Sequence, residues 1–431
     1  MTKMFISPLL LLLWLAPLSL SQEAGEKISP PRDWTATTGQ SLKAVALAYD
    51  GSEVTLRDAR RRELKLPASK LVAEDIAYLE EFFPPPEPAH QLGQLSSAVE
   101  AGRGASYYAY IPSTYDPRGT HALIVHTTPA GATPLSVIRH QKALQEHRWC
   151  YIAIIESNSK ESLRDNFNVT ETCIRHALKN LPVDKKRVYF TGAHGGGVQA
   201  LYNLSKFRAA GALVSDARLP PRERITLSNR DLVISTHASS YFRYTAAAVG
   251  QKNGARSTKL MYHNDNIPLG PSWLIEDALA WLDLRYLLRD YSPDSAVKKA
   301  AFEAHLLKSM EPYQKLMPYR AYNWTRTMTT QWKLSEQNAE AYKALKDELG
   351  AAPTTVQFAE SLDAVSAFAL KHWAPLGKEF TPRFNHNDQK AAEAARELRK
   401  TFPKSELMED VLPVLSQRTK QDPNKVKAAA E

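Results

Sequence analysis

Cysteine is nearly absent from this 431-residue chain: Cys150 and Cys173 are the only two, so at most one intrachain disulfide can form. They fall on an expected strand and the helix after it, and in an oxidising compartment a bridge there would contribute about 3 kcal/mol by restricting the unfolded chain. Two buried thiols is the competing reading, because spacing does not show that the Cβ vectors meet. Long apolar runs are missing beyond the first residues, and the one at 5–18 is shorter than the roughly 20 residues of a membrane-spanning helix. No transmembrane segment is expected in the mature chain. Blocks of like charge are scarce as well. The net charge of +9 is spread along the sequence, which favours weak contact with anionic surfaces but marks no nucleic-acid site. Its densest cluster, Arg60, Arg61 and Arg62, sits in an expected hairpin and reads as a solvated turn. Repetition is faint: 341–353 and 391–403 share alanines, leucine and a closing proline, one pair where a solenoid needs at least three units.

What is present begins with export. Lys3 precedes the apolar run, and the small residues Ser19 and Ser21 follow it before Gln22, the pattern of a secretory signal peptide over 1–21. A secreted or periplasmic protein is expected. Residues 32–82 then alternate with period two at Val54, Leu56, Leu64 and Leu66, punctuated by Gly39 and Asp50-Gly51, as a small barrel would. Pro84, Pro85, Pro86 and Pro88 stiffen a linker over 83–103. From 104 to 290 short apolar strands at 107–111, 122–126, 151–155, 188–191, 212–214, 232–236 and 259–262 alternate with helical periods at 135–147, 169–181, 197–207, 244–252 and 273–288. That alternation predicts an α/β unit, a mostly parallel sheet covered on both faces. Beyond 290 only helical spacing remains, as in Tyr342, Leu345 and Leu349 with Gly350 as a cap, so 291–416 is expected as a helical extension and 417–431 as a polar tail.

In the first of these regions, Arg32-x-Trp34-Thr35, Gly39, Ala44, Gly51, Val54-x-Leu56, Pro67, Leu71, Asp75 and Tyr78-Leu79 together resemble the SLA homology domain of the first type. The resemblance implies an SH3-like barrel over 32–82 and, as partner, a short peptide; a positioning module without a ligand is the alternative.

The most informative stretch runs Val188-Tyr189-Phe190-Thr191-Gly192-Ala193-His194-Gly195-Gly196-Gly197, an apolar strand entering small residues and then a helix. In Gly-x-Ser-x-Gly the glycines permit a sharp turn that exposes the central side chain above a sheet. Here the centre is histidine. With Tyr110-Ile-Pro112-Ser-x-Tyr115-Asp116, Leu123-Ile-Val-His126 and Ala278-Leu-Ala-Trp281-Leu-Asp283, the stretch resembles secreted α/β-hydrolase esterases of the polyhydroxybutyrate-depolymerase and feruloyl-esterase type over 104–290. The resemblance implies the α/β-hydrolase fold and argues against the family's activity. The acid expected near Ser240 or Tyr241 is missing, and the family's Gly-His turn is replaced by Tyr262-His263-Asn264-Asp265-Asn266. The second oxyanion donor falls near Pro129, which has no N–H.

A serine triad needs a hydroxyl that an oriented imidazole deprotonates, so His194 supports no acyl-enzyme of the usual kind. A pseudoenzyme or ligand-binding protein is expected, its partner a small molecule or short peptide. Histidine also tolerates positive φ better than most residues, so His194 could preserve the turn alone. A second reading takes His126, His194, His237 and His263, each at the carboxyl end of a different expected strand, as the border of one crevice. Gly195 and Tyr241 join His126 and His237 as expected ligand contacts, with Phe242 and Trp273 as further lining. His194, His237 and His263, with Asp265, would suit zinc or another divalent metal, although the loops show no metal-ligand spacing. The enzyme alternative is therefore an ester or acyl hydrolase built on a rearranged histidine site, His194 and His263 foremost.

Overall fold

The structure, a computed structural model, describes residues 28–372 and 393, 397, 398 and 400–402, except 50, 52, 85–89, 116–120, 182, 221–222, 228–229, 238–241, 255–256, 264–268 and 293. The expected signal peptide, the polar tail, Tyr241 and Asp265 lie outside the described residues. Two compact units divide at Glu87 and Pro88.

The first unit is a four-stranded antiparallel meander in the order β1 (Arg32–Thr35), β2 (Ser41–Tyr49), β3 (Glu53–Asp58), β4 (Glu63–Pro67), followed by α1 (Ala73–Phe82). Of the expected alternation, Val54 and Leu56 on a central strand are fully buried, whereas Leu64 on the edge strand β4 is exposed. Asp75 locks the helix to the first strand: one carboxylate oxygen accepts from Arg32 and the other from the Thr35 amide, each at 2.6 Å. The Arg32 guanidinium also lies 4.0 Å from the centroid of the Tyr78 ring. The basic cluster is a hairpin turn, with Arg61 at φ 62° and the Asp58 carboxylate accepting from the amides of Arg60 and Arg62.

In the second unit the chain runs through β5 (Val99–Gly102), β6 (Ala105–Tyr110), β7 (His121–His126), α2 (Leu135–Ile138), α3 (Gln141–His147), β8 (Cys150–Ile154), α4 (Leu163–Asn180), β9 (Val183–Ala193) and α5 (Gly195–Lys206). It continues with β10 (Gly211–Ser215), β11 (Asp231–His237), α6 (Phe242–Asn253), β12 (Thr258–His263) and α7 (Ser272–Leu287). These strands form one mixed sheet in the order β12-β11-β10-β9-β7-β8-β6-β5, parallel from β12 to β8 and antiparallel at β6 and β5. Every residue of β7 and β8 is buried, the pattern of strands covered on both faces. One face packs on α4, α5 and α6 through Ile174, Leu201 and Val249; the other packs on α2, α3 and α7 through Val137, Leu144 and Leu279. The α/β architecture read from the sequence is present, with one added edge strand, β5, too short and polar to register as a period.

The single helix expected at 135–147 is two, because Arg139 and His140 interrupt it. Helices α8 (Ser295–Met310), α9 (Tyr313–Leu316), α10 (Pro318–Gln331), α11 (Glu336–Gly350) and α12 (Pro353–His372) follow in the same compact unit as the sheet. Leu284 and Leu287 of α7 share a core with Phe302, Leu306, Trp324 and Tyr342, while Val365 and Phe368 of α12 return to the sheet's first face. Beneath this packing Arg320 donates to Asp277 at 2.9 Å and to Glu276 at 3.2 Å. Cys150 and Cys173 are both buried and unpaired with each other, and Cys173 lies 3.6 Å from the Ser106 carbonyl instead.

Candidate functional site

The chain leaves β7 to β8 on one side and then passes to β9 on the other, so the crevice at their carboxyl ends is a topological switch point, where open α/β sheets bind ligands. A cavity of about 540 Å³ opens there. Thr128 and Pro129 follow β7, Ser157 and Asn158 follow β8, His194 follows β9, and Asp216 and Arg218 follow β10, so four adjacent strand ends build it.

His194 occupies the tip of the turn at φ 50°, ψ −118°, exposed to solvent. The positive φ agrees with the sequence reading; the ψ departs from it. It lies far from the left-handed helical region that histidine tolerates, so the choice of histidine does not relieve the backbone. Two backbone bonds clamp the turn: the His194 amide donates to Ser215 at 3.0 Å, and its carbonyl accepts from Val198 at 3.0 Å. Strain of this kind costs about 1–3 kcal/mol. Glycine at 194 should therefore raise stability by about 1 kcal/mol after its own unfolded-state entropy is counted. A urea midpoint for His194→Gly no higher than that of the native chain would show the turn to be unstrained.

The glycines after it serve close packing. A Cβ on Gly196 would sit 2.2 Å from the Thr127 carbonyl oxygen and one on Gly197 2.6 Å from the Ala217 side chain, so α5 presses directly on the loops after β7 and β10. Thr127 reinforces this contact by donating its hydroxyl to the Gly196 carbonyl at 2.9 Å. Pro129 stands against the first residue of the helix, its Cβ 3.2 Å from where a Gly195 Cβ would lie. Thus Gly195 keeps its N–H at the cavity, and the residue facing it has none.

The opposite wall is held by Asn166, which is buried. Its side chain accepts from the Asn158 amide at 2.9 Å and donates to the carbonyls of Asn158 and Ser162 at 2.8 and 3.1 Å. Ser157 donates its hydroxyl to the Thr128 carbonyl at 2.9 Å, and the Ser159 amide donates to Pro129 at 2.9 Å, so the loops after β7 and β8 form one rigid rim.

Of the residues expected at the site, only His194 and Gly195 are among the described lining of the cavity. His126 ends β7 but is buried beneath the rim, its Nδ1 2.6 Å from the Tyr151 hydroxyl and its ring packed edge-on to His140. Burial, and then His140 beside it, push His126 down to about 3; burial, and then Arg139, push His140 down to about 4. Both are neutral at pH 7. His263 ends β12 and is buried, in register with His237 at the end of β11. The His237 and Phe242 side chains and all of Tyr241 lie outside what the structure describes. Among the described residues no group of three or more His, Cys, Asp and Glu side chains is placed to hold a metal ion. Trp273 is absent from the described lining and packs instead against the core under α7.

Sequence reasoning missed Asp216 and Gln199. The sequence reading places the triad acid after the strand at 232–236, whereas Asp216 follows β10, one strand nearer the elbow, lines the cavity and accepts from the Thr236 hydroxyl at 2.8 Å. The rule that ligands meet the carboxyl ends of strands would have found it, applied to every strand. Gln199 lies four residues after Gly195, one helical turn along the same face, and reads in the sequence as an ordinary polar helix position.

No family model and no curated protein matches the sequence. Solved structures similar to this chain include esterases and another hydrolase. A Bacillus cereus carboxylesterase is 12% identical over 43% of this chain and 96% of its own, with a TM-score of 0.35. An arylesterase is 12% identical over 49% of this chain and 91% of its own, at 0.36. A Lactococcus lactis sugar hydrolase is 11% identical over 44% and 98%, at 0.36.

Proposed function

We propose that this is an exported α/β-hydrolase-fold protein whose cavity binds a small ligand without forming an acyl-enzyme. One observation carries the reading: the exposed residue of the strained strand-to-helix turn is His194, and no hydroxyl stands there. The nucleophile of acyl transfer is the residue the turn exists to expose, and an imidazole in its place lacks the hydroxyl oxygen through which an acyl-enzyme forms. Pro129 supports the same reading, since its ring faces Gly195 where a second N–H would stabilise an oxyanion. The rigid rim favours binding, because a preformed pocket spends little free energy on ordering itself. The four-stranded unit is read as an SLA-homology-like module for a short peptide.

Asp216 favours a second reading. A carboxylate lining the same cavity as His194 is the partner an imidazole needs to act as a general base on water, which would hydrolyse an ester without a covalent step. A panel of short-chain nitrophenyl esters, assayed with and without chelator beside His194→Ala and His194→Ser, separates the two. Binding alone predicts no turnover above buffer by any of the three forms. Turnover that the alanine variant abolishes would replace the binding reading with the general-base one, and its loss to chelator would bring in a metal.

A further inference from the structure

The antiparallel meander of the first unit has two edges, and only one is closed. Beyond β1 the chain completes the sheet itself: the Val72 amide donates to the Thr35 carbonyl at 2.9 Å and the Thr37 amide to the Lys70 carbonyl at 2.8 Å. At the other edge β4 pairs with β3, and among the described residues nothing pairs with its far side. The hairpin fixes which groups that side presents. Since the Asp58 amide donates to the Arg62 carbonyl at 3.1 Å, the hydrogen-bonded pairs of the ladder recur at every second residue, at Leu56 with Leu64 and at Val54 with Leu66. The N–H and C=O of Glu63 and Lys65 therefore point away from β3, an open row on which another strand can pair.

The side chains define the strand that fits. Leu64 and Leu66 share the face of Val54 and Leu56; Leu66 packs on the core, whereas Leu64 is 43% exposed at the core's uncovered margin. Glu63 and Lys65 lie on the other face, and over 57–65 five basic residues stand against two acidic ones. Asp58 is held by Arg62, while Arg60, Arg61 and Lys65 are exposed and make no ion pair among the described residues. A lysine on an edge and a proline closing it, as Lys65 and Pro67 do, discourage pairing with a second copy, which would bring two basic hairpins together. An acidic strand meets no such repulsion. We propose that β4 takes an extended peptide of alternating apolar and acidic residues as a fifth strand, its apolar side chains over Leu64 and its carboxylates beside Lys65 and the arginine turn. This deepens the peptide-module reading above and rests on it.

Fluorescence anisotropy on the full chain with labelled heptapeptides tests this: one alternating valine and glutamate, one with lysine in place of glutamate, and one with serine in place of valine. The first should bind at least about tenfold more tightly than either of the others. It should also slow hydrogen exchange over 62–67, as the outward amides of Glu63 and Lys65 gain partners. Lys65→Pro removes one outward N–H without touching the ladder to β3 and should weaken binding at least about tenfold, while Lys65→Gln, which keeps the N–H, should weaken it less. The exchange measurement uses the native chain, so it decides the site even where the proline variant fails to fold. Equal affinity for the lysine or the serine peptide overturns the stated chemistry of the partner, and binding of none of the three overturns the alternating strand. Binding that leaves exchange over 62–67 unchanged overturns the β4 site and leaves the peptide reading standing. A native chain that is dimeric, and monomeric once it carries Lys65→Pro, gives the edge to a second copy instead.

Discussion

Replacing Arg320 with methionine is expected to destabilise the second unit by about 3–5 kcal/mol, the cost of removing one partner from a buried ion pair. Arg320 is 7% exposed and joins α10 to Asp277 and Glu276 on α7, beneath the sheet's second face. Burial would push the Glu276 carboxyl up. The hydrogen bond from Tyr313 and the charges of Arg320 and Lys142 outweigh it and hold that carboxyl below the ordinary range. Without the guanidinium, Asp277 retains only the indole N–H of Trp324, at 2.6 Å, among its described donors. A urea midpoint within experimental error of the native value would show that the helices after 290 do not depend on this network. A triple replacement that also makes residues 276 and 277 apolar should recover much of the loss, because the desolvation cost leaves with the charges.

Acid should unfold the same unit well above the carboxylate range. His126 and His140 are neutral in the folded chain, with values of about 3 and 4, and titrate at 6.5 once unfolded. The unfolded state therefore binds more protons at every pH below 6.5. The stability due to their neutral burial is fully present above 6.5 and is lost as pH falls toward their folded values. At about 1.4 kcal/mol per pH unit for each ring, moving from pH 7 to pH 5 removes about 4 kcal/mol, a large part of an ordinary domain's total. His305, lowered to about 4 by burial and then by His147, acts in the same direction. Urea midpoints at the two pH values measure the loss, and His140→Met should shrink it. Equal midpoints at pH 7 and pH 5 would mean that these rings are solvated in the folded chain.

The elbow shows how far residues alone carried the reading. Gly192, Gly195, Gly196 and Gly197 around His194 announced a strand-to-helix turn, and β9 and α5 meet there. Those glycines are a local steric requirement, and local requirements are written in adjacent residues. The same holds for the apolar runs of β7 and β8, which signal burial on both faces without any knowledge of what covers them. His126, His237 and His263 end three strands of one sheet, and His194 directly follows a fourth. Their positions along the chain were legible; the directions of their side chains were not. His126 turned into a buried contact with Tyr151, while Asp216 and Gln199, unremarkable in sequence, line the cavity with His194.

The sequence by itself determined the α/β alternation, the turn with its histidine, and the missing hydroxyl, because each is set by backbone periodicity or by the identity of one residue. Only the tertiary structure decided which polar groups share a cavity. Asp216 and Arg218 are brought to His194 by pairing β10 beside β9, Ser157 and Asn158 by placing β8 on the far side of β7, and Gln199 by one turn of α5. Strand order is fixed by packing the whole sheet between two layers of helices, a condition spread over the entire core and written in no short stretch of the chain.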